Sequence, residues 1–142
     1  MPDAAMPAPD VTTPGGLLLA LCVLVPFVGV LAGLVLGGRN PQRVAYVTML
    51  AGLGIALAIA DHFLRSGGTV VYLLGGWAPP LGVALRADAP AVVMLLAVAV
   101  VICGIGAYAR ADFGTPEGER EARAPFAFWL LLLAVWGSLN LV

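Results

Sequence analysis

Lysine is absent from this chain of 142 residues, histidine occurs once, and charged residues of both signs make up only 11%. A soluble domain carries about 25% charged residues. The shortage excludes a water-soluble globular domain. With 61% hydrophobic residues and a mean hydropathy of +1.02, a core this small cannot hide so much apolar surface from water. The composition is that of an integral membrane protein in contact with the lipid bilayer. A net charge of -1 gives no reason to expect a nucleic-acid partner. The lone His62 builds no metal site by itself. Cys22 and Cys103 form neither a CxxC pair nor a cluster with histidine, which argues against zinc and iron–sulfur sites. Both lie inside apolar runs and read as small buried hydrophobes.

Catalytic signatures are missing as well. The sequence contains no GxSxG, Walker A, dinucleotide fingerprint or HExxH motif, and no catalytic residue, cofactor or metal is expected. GLGIA from Gly52 and GIGAY from Gly104 are GxG pieces inside apolar stretches, and they read as packing glycines. No acidic or basic residue lies in the middle of an apolar run, where ionisable groups would mark a proton or ion path. Asp61, His62, Arg86 and Asp88 fall near the ends of runs and read as solvated interfacial groups. Asp61 and His62 are neighbours in sequence, and adjacent positions on a helix do not face each other.

The chain does contain long apolar runs, each of about the 20 residues that cross a bilayer as a helix. The expected fold is all-α and membrane-integral, with four transmembrane helices over about 16–36, 44–64, 89–108 and 125–142. Residues 1–14 are expected to be a disordered tail, because they are polar, rich in proline and lack the basic start of a signal peptide. Pro26 sits in the middle of the first span and is expected to kink it. Gly29, Gly33 and Gly37 recur every fourth residue. Such a stripe lets a neighbouring helix approach closely, although glycine is also generally enriched in membrane helices. GGRNPQR reads as a tight basic turn and 109–124 as a solvated charged loop. Arginines set the orientation: Arg39, Arg43, Arg110, Arg120 and Arg123 lie in one set of loops, against Arg65 and Arg86 in the other. The positive-inside rule then places the N-terminus outside, and the alanine, glycine and arginine bias is that of a GC-rich bacterial genome, so a bacterial inner membrane is expected. The fourth run stops at Val142 without a polar flank, which reads as a fragment or as an end buried against a partner.

The connection between the second and third spans is overbuilt for a simple turn. TVVYLLGGW is β-branched and aromatic, LGVALRAD alternates loosely, and Pro79 and Pro80 lie between them. Strand, Gly/Pro turn and strand make a hairpin over 69–88, laid on the outer surface with Tyr72 and Trp77 at the membrane interface.

At these residues the chain resembles the antiporter-like subunits of complex I (NADH-quinone oxidoreductase) and of Mrp-type cation/proton antiporters. Those subunits carry, after their second helix, an aliphatic-aromatic strand, a Gly-Gly-Trp-x-Pro-Pro turn, and Gly-Ile-x-Leu-x-x-Asp leading into the third helix. Gly75, Gly76, Trp77, Pro79, Pro80, Gly82 and Asp88 match that pattern, and FWLLLLAVWGSLNLV is similar to the stretch before the family's fifth helix. The resemblance implies the N-terminal portion of a proton-translocating subunit that acts as scaffold, with other membrane subunits as partners. The implied contacts to those subunits are Gly29, Gly33 and Gly37 on the first helix, and Tyr72, Gly75, Gly76, Trp77, Pro79, Pro80, Gly82 and Asp88 in the hairpin. The family's proton path uses a glutamate in the fifth helix and lysines from the seventh onward, and no position here corresponds to either. A complete small assembly subunit without transport activity is the alternative. A small homo-oligomeric channel is the weakest reading, because no span carries a polar stripe to line a pore.

Overall fold

Every apolar run becomes a helix. The computed structural model describes residues 12–37, 40–77, 82–112 and 123–141. In chain order the elements are α1 (Leu17–Leu36), α2 (Asn40–Ser66), β1 (Val70–Leu73), a single 3-10 turn (Leu74–Gly76), β2 (Ala84–Ala87), α3 (Ala89–Asp112) and α4 (Arg123–Leu139). The chain is mostly helical, with one small two-stranded sheet. Three of the helices, α1, α2 and α3, are long and apolar enough to cross a membrane. With 17 residues α4 is shorter, roughly 25 Å at a rise of about 1.5 Å per residue.

Helix ends depart from the hydropathy boundaries for local reasons. α2 starts at Asn40, ahead of the expected 44. Pro41 suits a first helical turn, where no N–H is needed, and Asn40 Nδ2 donates to the Leu36 carbonyl at 3.3 Å, tying the start of α2 to the last turn of α1. α3 runs on to Asp112 past the expected 108. α4 closes at Leu139 in a tightened last turn: the Asn140 amide still donates to the Trp136 carbonyl in the helical pattern, and the Leu141 amide donates to the Ser138 carbonyl three residues back. α1 is continuous through Pro26, which is itself fully buried.

α1 packs against α2 and α4, and α2 packs against α3 and α4. The main core lies among α2, α3 and α4. Trp129 and Trp136 are 1% exposed and Leu133 is 0% exposed; around them pack Ala45, Met49, Ala99 and Ile102. The Tyr46 ring lies 5.3 Å from Trp129, and its hydroxyl donates to the Gly106 carbonyl at 2.9 Å, fastening α2 to α3. A second core of Leu19, Cys22, Ile59, Val70, Ala87 and Val92 seats the hairpin on α1, α2 and α3. Outside these cores the helices present large apolar side chains outward, Val35 at 87% exposed among them.

Small residues make this packing possible. A Cβ on Gly29 would run into Thr48 of α2 and Leu133 of α4, and one on Gly33 into Leu130 of α4. These two glycines therefore face the chain's own helices, and their surface is not open to another subunit. Gly37 lies outside that contact. Its φ is +54° and nothing approaches its Cβ position, so it ends α1 in an extended positive-φ conformation that suits glycine, with its N–H bonded to the Gly33 carbonyl. Gly33→Ala is expected to destabilise the chain by about 1 kcal/mol, the low end of overpacking because Leu130 can turn aside. Thermal unfolding of the purified chain measures it.

Candidate functional site

The described chemistry gathers at one end of the bundle, where the hairpin meets the start of α1, the end of α2, the start of α3 and the end of α4. β1 and β2 are antiparallel, with Val70 opposite Ala87, Val71 opposite Arg86, Tyr72 opposite Leu85 and Leu73 opposite Ala84. The Leu74 amide donates to the Val83 carbonyl and extends the ladder toward the tip. Strand, turn and strand thus lie where the β-branched and proline pattern puts them. Val70 and Val71 are buried, and Tyr72 is half-buried. Trp77 is 64% exposed.

The turn depends on glycine at three positions. Gly75 and Gly76 both have positive φ, 73° and 75°, a region L side chains avoid. A Cβ on Gly82 would strike the Trp77 carbonyl, because the returning chain passes directly over that backbone. Pro79 and Pro80 lie outside the described residues.

Asp88 has a definite task. Its Oδ1 accepts from the Ala91 amide at 3.1 Å, which makes it the N-cap of α3, with Pro90 in the first turn. An aspartate followed two residues later by proline ahead of an apolar run is a legible helix start, so the sequence did carry this signal. Asp88→Ala is expected to remove about 1 kcal/mol of stability, read as a lower melting temperature, whereas Asp88→Asn keeps the acceptor and most of the stability.

Sequence reasoning missed the segment before α1. Thr12 and Thr13, expected in a disordered tail, lie along the outer edge of β1. The Thr13 amide donates to the Val71 carbonyl at 2.9 Å, the Val71 amide donates to Thr13 Oγ1 at 2.9 Å, and the Leu73 amide donates to Thr12 Oγ1 at 3.2 Å. The rest of that tail, 1–11, is outside the described residues. Gly16 passes so close to the Val71 carbonyl that no side chain fits, and Gly15 packs on the His62 ring. Short polar residues beside a proline give no periodicity, so nothing in the composition marks them as strand partners.

These bonds also say which edge of the hairpin is open. Val71 and Leu73 direct their backbone groups at the threonines, so the residues opposite them, Arg86 and Ala84, direct theirs away from β1. β2 is the open edge. Beside it runs a groove of about 490 Å³ walled by β2, α3 and the end of α4, with Arg86, Met94, Leu95 and Asn140 among its lining. Asn140 Nδ2 donates to the Cys22 carbonyl at 2.9 Å, and its Oδ1 is buried without a partner among the described residues.

Asp61 and Arg65 form an exposed pair one helical turn apart, at 2.9 Å, worth about 0.3–0.5 kcal/mol. His62 turns to Gly15, away from Asp61, as the geometry of adjacent helical positions requires. Among the described residues no group of histidine, cysteine and carboxylates could hold a metal ion. What the arrangement offers for binding is a main-chain edge and apolar surface.

Fold and site together define a helical bundle of four helices, three of them of membrane-crossing length and hydropathy, topped by a hairpin with one edge covered and one open. Compared with known proteins, the chain matches no family model, no curated protein and no solved structure.

Proposed function

We propose that this chain is an integral membrane protein of the bacterial cell membrane, N-terminus outside, and forms the first four helices of a proton-translocating subunit of the complex-I-like or Mrp-type antiporter class. Its task in that subunit is scaffold and docking, through the hairpin, to neighbouring membrane subunits. The observation that carries the reading is the hairpin: it stands between the second and third helices, turns on Gly75, Gly76 and Gly82, and ends in an aspartate that caps the third helix. Each glycine and the aspartate of the motif has a physical task at its position, which supports reading the motif as a unit. The exposed apolar flanks of α1, α2 and α3 support membrane insertion, since isolated exposed leucines are ordinary but whole helix faces are not.

Three experiments test its parts separately. Carbonate washing of membranes expressing the chain reports insertion, and extraction of the chain into the wash would overturn the membrane assignment. Insertion with a cysteine at Gly68 labelled from outside by a membrane-impermeant maleimide supports the orientation, and labelling only after lysis reverses it. For the assignment to the antiporter class, native purification should recover further helices bearing intramembrane glutamate and lysine, on the same polypeptide or on a co-purifying one. Recovery beside a complete conducting subunit favours the accessory reading instead.

A further inference from the structure

We propose that the outer groove between α1 and α2 is a binding site for one anionic phospholipid, its acyl chain lying between the helices and its phosphate at Arg43. This groove is separate from the hairpin, and holds about 690 Å³. It opens where Ala32 on α1 and Ala51 on α2 leave little side-chain bulk, above the buried contact of Gly29 with Thr48. Leucines and valines of both helices line it, Leu24 and Val47 among them. On α1 the lining runs from Leu21 to Leu36, roughly 22 Å at the helical rise of about 1.5 Å per residue. One leaflet of hydrocarbon is about half of a 30 Å core, so the groove is long enough for a single acyl chain.

The charged and amide side chains of the groove are confined to one end, the buried Thr48 hydroxyl being the other polar group in its lining. Asn40 and Arg43 line it only there, beside the turn joining α1 to α2. The ion pair found among the described residues joins Arg65 to Asp61, on the far end of α2, and among the described residues no carboxylate is paired with Arg43. An apolar trough with the Arg43 cation at its mouth complements a molecule that is apolar along its length and anionic at its head. A second apolar helix would fill the trough and leave the arginine unmatched. Basic pockets between transmembrane helices are a recurring mode of anionic headgroup binding, with each arginine near the surface worth about 1 kcal/mol.

The test uses the full chain reconstituted in phosphatidylcholine vesicles with trace spin-labelled lipid. The motionally restricted fraction is read by electron paramagnetic resonance. Spin-labelled phosphatidylglycerol should associate about fivefold better than spin-labelled phosphatidylcholine, the ratio equal to about 1 kcal/mol. Arg43→Gln should bring the ratio close to one, while Arg110→Gln, an exposed arginine at the end of α3, should leave it unchanged. Ala51→Phe, a change at an exposed position, should lower the restricted fraction for both lipids by filling the trough. A ratio insensitive to Arg43→Gln overturns the proposal. So does loss of the preference on adding millimolar inorganic phosphate, which would make this a free-anion site, or a trough closed by helix association, seen as dimer without any lipid selectivity. The proposal rests on membrane insertion, which the carbonate wash reports independently.

Discussion

Gly52→Leu is expected to abolish the folded bundle. The ring of Trp136 lies where a Cβ on Gly52 would be, and that tryptophan is itself 1% exposed at the centre of the core. An indole buried in the same core as Leu133 and Met49 and pressed on α2 at Gly52 cannot rotate away as an exposed leucine could. The whole of α4 would have to move off α2. Overpacking a close-packed interior costs typically about 1–3 kcal/mol, and here the clash is with a rigid ring, so about 3 kcal/mol or more is expected. That is a large share of the roughly 5–15 kcal/mol available to a domain. The variant should lose the single symmetric peak of the detergent-solubilised protein on size exclusion. Gly54→Leu, two residues on, meets nothing within 4 Å and should keep it. Equal behaviour of the two variants would show that α4 does not pack on α2 at Gly52.

Gly82→Val should unpair the hairpin and leave the helices standing. The obstacle to its Cβ is the Trp77 carbonyl, and backbone yields far less than the end of a side chain. The readout is a disulfide between Val71→Cys and Arg86→Cys, with Cys22 and Cys103 replaced by alanine. Val71 and Arg86 are directly opposed in the register, at a non-hydrogen-bonded pair whose Cα atoms stand about 4.5 Å apart, inside the span a disulfide bridges. The pair should close readily in the native turn. With Gly82→Val the rate should fall about tenfold, equal to about 1.4 kcal/mol against the paired state, while circular dichroism keeps its helical signal. A rate unchanged by the substitution would mean that the return of the chain over Trp77 is dispensable.

Much of the fold was written in the chain at a level hydropathy can read. Four apolar runs became four helices, because burying or solvating twenty successive apolar residues leaves few other choices. The hairpin was legible because β-branched residues and paired glycines and prolines disfavour an α-helix between Gly67 and Asp88. The boundaries were less so: the first turn of α2 is polar, and only the placement of Pro41 shows that it is helical. Side-chain bonding with no periodic trace was missed altogether. Thr12 and Thr13 serve as strand partners through two hydroxyls and one amide, and Asn140 reaches a carbonyl more than a hundred residues away in sequence. The glycine stripe was visible, but spacing does not say which helix a small residue faces. Of the GxG pieces read as packing glycines, Gly52 and Gly106 do meet Trp136 and Met49, whereas Gly54 and Gly104 face open space.

The threonines along β1 leave the hairpin one edge to offer. A ribbon open on both sides could join copies head to tail, β1 of one on β2 of the next, and build rows or rings. With β1 already occupied, copies that join strand to strand must set β2 against β2. A contact of that kind is the same on both partners and closes as a two-fold pair. Two hydroxyls near the start of the chain thereby decide that an assembly made this way ends at two copies.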